Sequence, residues 1–213
     1  MSSFNLSKQL NSVRTPVKSK SFVMKFFYSA LALLTGFGLE LLAEFLDRVS
    51  KRDLPELLQI LDLNSFLGRF TFWALVTLAI AVYSKSRIRA ALNVFLFYTG
   101  ILLGYYLYAI AFMGYNPNVN NLATWAVYAL VSSLVAIICW YAKGTGLTAA
   151  LLSAIIISFM FSQAFNVGLF YFSINYGLEI VLWIASVVIL YKSPVQTVVS
   201  IIASIPLIML YQM

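Results

Sequence analysis

A carboxylate inside an apolar run is the residue type in this chain that most demands a chemical account. Glu179 is such a residue, set within YFSINYGLEIVLWIASVVIL at positions 171–190. A charge near the centre of a bilayer costs on the order of 2.5–3.5 kcal/mol on insertion scales. It persists where it is protonated, paired with a cation, or turned toward a water-filled cavity. Two kinds of chemistry follow: cation or proton binding, and a structural ion pair. Both stand open on the sequence alone. At helical spacing Asn175, Glu179 and Ser186 share one face. Gln163 and Asn166 follow Ser158 and Ser162 at the end of the preceding apolar run and would meet that face across a tight turn. Tyr105 and Tyr128 fall at matching depth in other runs, and Trp183, one turn beyond Glu179, could floor a cation site through its ring. These seven, Glu179, Asn175, Gln163, Asn166, Tyr105, Tyr128 and Trp183, form the candidate ligand set. Arg69 is the candidate ion-pair partner, of Glu179 or of Glu40.

Other chemistries find no residues to perform them. There is no histidine and a single cysteine, Cys139. Zinc sites built from Cys and His, His-based proton relays and Ser–His or Cys–His nucleophiles are therefore excluded. No Gly-rich phosphate loop or HExxH motif occurs, so neither a catalytic constellation nor a cofactor or metal is expected. Glu40, Glu44 and Asp47 continue down one helix face as an acidic ridge, read either as a solvated helix end or as a cation-attracting mouth.

The elements that must position these residues are membrane helices. Of 213 residues 62% are hydrophobic and 10% charged, against roughly 25% charged in a soluble domain. Apolar runs of spanning length predict an all-α polytopic bundle of seven spans at about 22–43, 66–83, 90–113, 122–141, 147–163, 171–190 and 195–211. Residues 1–21 read as a basic tail. The helical phase of the first span runs on through the Glu44–Arg48 and Asp47–Lys51 pairs. After it, residues 54–63 (LPELLQILDL) read as a short amphipathic helix on the membrane surface. Glu179 lies thirteen residues before Lys192, which places it roughly 20 Å from that boundary in a core about 30 Å thick. Gly100 and Gly104 make a small-xxx-small face for close helix contact, within the chain or between copies.

Charge sets the orientation. With the N-terminus inside, the inner side holds Lys8, Arg14, Lys18, Lys20, Lys25, Lys85, Arg87, Arg89, Lys143 and Lys192 and no acid. That pattern predicts N-in and C-out. The net charge of +7 is then a matter of topology and of anionic lipids on the inner face, not of nucleic acid. Tyr83-Ser84-Lys85-Ser86, Tyr141-Ala142-Lys143-Gly144 and Tyr191-Lys192-Ser193-Pro194 each close a span on that side. They read as interface preference, or as the joints of three related hairpins.

The strings AVYSKSRIRAALNVFLFYTG, AIICWYAKG and MGYNPN resemble a family of small multi-pass membrane proteins of Gram-positive bacteria with no assigned function. The resemblance covers most of the second to sixth spans. It implies a bacterial cytoplasmic membrane and this topology, and it brings no catalytic residue. Two functions fit these readings. One is a transporter-like or substrate-capturing protein that binds a small polar or cationic ligand from outside around Glu179. The alternative is a non-transporting accessory, immunity or scaffold protein that binds another membrane protein or a second copy of itself.

Overall fold

The computed structural model describes residues 11–17, 21–50, 55–56, 59, 62–168 and 171–212. The basic tail expected at 1–21 and the surface helix expected at 54–63 fall largely outside the described residues. The chain runs through α1 (Phe22–Arg48), α2 (Leu63–Leu67), α3 (Phe70–Tyr83), α4 (Arg87–Met113), α5 (Val119–Ala142) and α6 (Leu147–Ala164). A hairpin of β1 (Phe165–Val167) and β2 (Phe172–Ile174) follows, then α7 (Gly177–Leu190) and α8 (Pro194–Gln212). Among the described residues five helices, α1, α4, α5, α6 and α8, are long and apolar enough to cross a membrane. The apolar helices α3 and α7 have 14 residues each. Large apolar side chains stand outward on every side of the bundle, with Leu134, Val188 and Ile202 all at least 60% exposed. Such a surface calls for lipid as its solvent.

Two expected spans are shorter than the apolar runs that announced them. Residues 66–83 do not form one helix. α2 ends at Leu67, Arg69 is extended (φ −83°, ψ 139°), and α3 begins at Phe70. Gly68 weakens the helix at the break, and the Trp73 indole donates to the Leu67 carbonyl that the break frees (2.7 Å). Residues 171–176 are likewise not helical. They form β2 and the turn into α7, paired antiparallel with β1 so that Asn166 faces Ser173. Polar side chains brace the hairpin beside its backbone pairing. Asn166 Nδ2 donates to Asn175 Oδ1 (2.7 Å), and Asn175 Nδ2 donates to the Gln163 carbonyl (3.1 Å). Gln212, at the end of α8, accepts from Val167 N and donates to the Phe165 carbonyl.

The tightest packing joins α1 and α4, which run parallel. A Cβ added at Gly36 would collide with the Phe97 carbonyl, and one added at Gly100 with the Leu33 carbonyl. Gly104 sits against Phe37 and Glu40. The small-residue face of α4 is thus used within the chain, letting two backbones meet without side chains between them. Consecutive helices are otherwise neighbours, with one exception. α8 packs along α6 and not along α7, so the last pair does not repeat the geometry of the earlier hairpins.

Helix ends collect by charge. One end of the bundle gathers Arg14, Lys25, Lys85, Arg87, Arg89, Lys143 and Lys192. The other gathers Glu40, Glu44, Asp47, Asp62 and Glu179, with Arg48 and Arg69. Cations at the basic end satisfy carbonyls that helix C-termini leave unpaired. Arg14 donates to the Trp140 carbonyl of α5 and to the Val82 carbonyl of α3 (2.9 Å), while lying over the Trp140 ring. Burial pushes the Arg14 guanidinium down from its ordinary pKa, yet a guanidinium stays charged. Lys143 donates to the Ile189 carbonyl of α7 (2.7 Å). Residues 11–17 are strapped across this end, with Val17 N donating to the Lys85 carbonyl and Thr145 N to that of Val13.

Candidate functional site

The two short helices bring Arg69 and Glu179 together. Arg69 caps the start of α3. Glu179 occupies the first turn of α7, where the helix dipole favours an acid. An arginine at a helix start lacks that support and takes it from its surroundings. Its guanidinium lies 3.1 Å from Asp62, 3.8 Å from Glu179 Oε1 and 3.7 Å above the Tyr176 ring. Glu179 is 1% exposed. Its inward stripe continues through Leu182, Ser186 and Leu190, all buried. Buried Thr71 faces the same carboxyl group. Glu179 Oε2 and the Trp183 indole N–H, one helical turn apart, are both buried without a hydrogen-bond partner among the described residues. The Trp183 ring meets Phe161 and Phe165 edge to face.

The sequence-derived ligand set therefore separates into three places. Glu179 is enclosed with Arg69, and Trp183 packs among aromatic rings beside it. Asn175, Asn166 and the Gln163 backbone brace the hairpin. Tyr105 and Tyr128 stand elsewhere, on the wall of a cavity of about 780 Å³ between α1, α3, α4 and α5. Arg69 pairs with Glu179 and Asp62 and not with Glu40, which belongs to that cavity.

The cavity has a marked composition. Glu40, Glu44 and Asp47 enter it from successive turns of α1. Trp73 and Tyr98 come from α3 and α4, and Tyr105, Trp125 and Tyr128 complete the aromatic wall. Among the described residues no lysine or arginine lines it. Tyr105 and Tyr115 share a hydroxyl–hydroxyl hydrogen bond of 2.9 Å, and the Trp73 ring is held by its bond to Leu67. The helix break at Gly68 opens onto the cavity, consistent with irregular membrane-depth backbone occurring where it lines a cavity. Sequence reasoning found the acidic ridge but left Glu44 and Asp47 out of the site. Trp73 and Trp125 carry no local signal of a shared site, because nothing in the sequence says that helices far apart in the chain will turn these rings toward one space.

Compared with protein-family models, with curated proteins and with solved structures, the chain matches none. Its class follows from its own helices: it is a multi-pass helical membrane protein.

Proposed function

We propose that the protein crosses the membrane seven times, N-terminus inside, and captures an organic cation from the outer side in a transporter-like manner. The cation sits in the cavity of Glu40, Glu44 and Asp47. The carrying observation is a cavity walled, among the described residues, by three carboxylates and five Trp or Tyr rings with no lysine or arginine. Carboxylates attract a cation over distance, and aromatic faces hold an alkylated ammonium that water solvates poorly. The volume lies within the roughly 300–1,000 Å³ typical of small-molecule sites. The helix interrupted beside the site, α2–α3, matches the discontinuous helices that transporters use at substrate sites. Glu179 supports the site from behind by holding Arg69 away from the cavity.

Binding of choline as the probe, read from Trp73 and Trp125 fluorescence in phosphatidylcholine nanodiscs, tests this. We expect saturable quenching by choline, none by its neutral tert-butyl isostere, and affinity at least about tenfold weaker in Glu40→Gln. Equal binding of the neutral isostere would refute cation capture. Loss of binding in Glu179→Gln with Glu40→Gln unaffected would move the site back to α7.

A further inference from the structure

A second cavity, of about 680 Å³, opens at the basic end, opposite in character to the first. α1 and α3 both pack on α4 but leave a slot between themselves. The lower wall of the slot is cationic. Lys25 comes from α1, Lys85 from the turn after α3, and Arg89 from the first turn of α4. All three are half-buried, and among the described residues no carboxylate lines the slot.

Arg89 is fixed in place by a polar relay. Its guanidinium donates to Ser29 Oγ (3.1 Å) and to the Lys25 carbonyl (3.4 Å). Ser29 donates to Asn93 Oδ1 (2.9 Å), and Asn93 donates to Ser84 Oγ (3.2 Å). The Lys85 ammonium lies 5.5 Å over the Tyr28 ring. Three like charges gathered in a partly dry slot repel one another, and an anion placed among them removes that repulsion. The upper wall is apolar, with Leu31, Ala32 and Ile80. The slot reaches Thr35, about 15 Å along α1 from Lys25 at 1.5 Å per residue.

A charged foot and a long greasy wall describe an amphiphile. We propose that the slot holds one anionic phospholipid, with its phosphate between Lys25, Lys85 and Arg89 and an acyl chain along Leu31, Ala32 and Ile80. Free phosphate shares the headgroup chemistry, but it would leave the apolar wall of Leu31, Ala32 and Ile80 uncovered. The site stands apart from the cation cavity and is independent of it.

Native mass spectrometry of the full chain, purified in mixed phosphatidylglycerol and phosphatidylcholine micelles, tests the assignment. One phosphatidylglycerol should remain bound in preference to phosphatidylcholine. The double variant K25Q/K85Q should hold it about tenfold more weakly, whereas K192Q, an exposed cation at the same end, should hold it as the native chain does. Competition on the native chain needs no variant to fold: inorganic phosphate and glycerophosphoglycerol should fail to displace the lipid. Equal loss in K192Q would reduce the effect to diffuse surface charge and overturn the site. So would equal retention of phosphatidylcholine. Displacement by inorganic phosphate would overturn the lipid assignment in favour of a soluble anion.

Discussion

Glu179 keeps one oxygen 3.8 Å from the Arg69 guanidinium and the other without a donor among the described residues. Removing one partner of such a pair leaves a buried charge uncompensated, which costs roughly 3–5 kcal/mol. Arg69→Met should therefore destabilise the protein by about 3 kcal/mol in denaturant unfolding, and adding Glu179→Gln should restore much of the loss. Simple additivity of the two substitutions would mean that the groups are not coupled. The deep acid and its candidate partner were legible in the sequence, because a carboxylate in an apolar run stands out wherever it is met. Arg14 was not. Its partners, Trp140 and Val82, are 126 and 68 residues away, and a basic residue in a polar tail carries no sign that it will close two helix ends.

Among the elements, the α1–α4 seam sets the closest packing, and the paired short helices α3 and α7 set the break in the apolar runs. Gly36→Ala would set a methyl group against the Phe97 carbonyl, an overpacking cost of about 1–3 kcal/mol. Gly38, two residues on, has nothing within 4 Å of an added Cβ. Gly38→Ala should be neutral or slightly stabilising, and equal melting temperatures for the two variants would contradict the seam. Hydropathy located α1, α4, α5, α6 and α8 well because a long apolar run has few other uses. It overran α7 because apolarity reports what surrounds a segment, not its backbone angles. Tyr171, Phe172 and Ile174 suit a strand as well as a helix core. At 1.5 Å per residue, α3 and α7 reach about 21 Å against a core of about 30 Å. The hairpin and α2 lie at the ends where that length runs short.

Seen whole, the bundle is sorted by charge, with a basic end and an acidic end, each holding a cavity of matching sign. The proposed orientation puts the basic end inside. In a Cys139→Ala background, Asn116→Cys should react with an impermeant maleimide in intact cells, and Ser193→Cys only after permeabilisation. The reverse pattern would invert the topology. Charge asymmetry was fully legible in the sequence, since it needs only the order of runs and loops. The cavities were not, since each is made by helices that meet through tertiary packing. The same sorting has an electrical consequence. Moving one elementary charge across 100 mV is worth about 2.3 kcal/mol. In the proposed orientation, with the cell interior negative, the basic end rests at the lower potential for positive charge, whereas an inverted chain would hold it at the higher one. An energised membrane thus adds to the preference for inserting with the basic end inside.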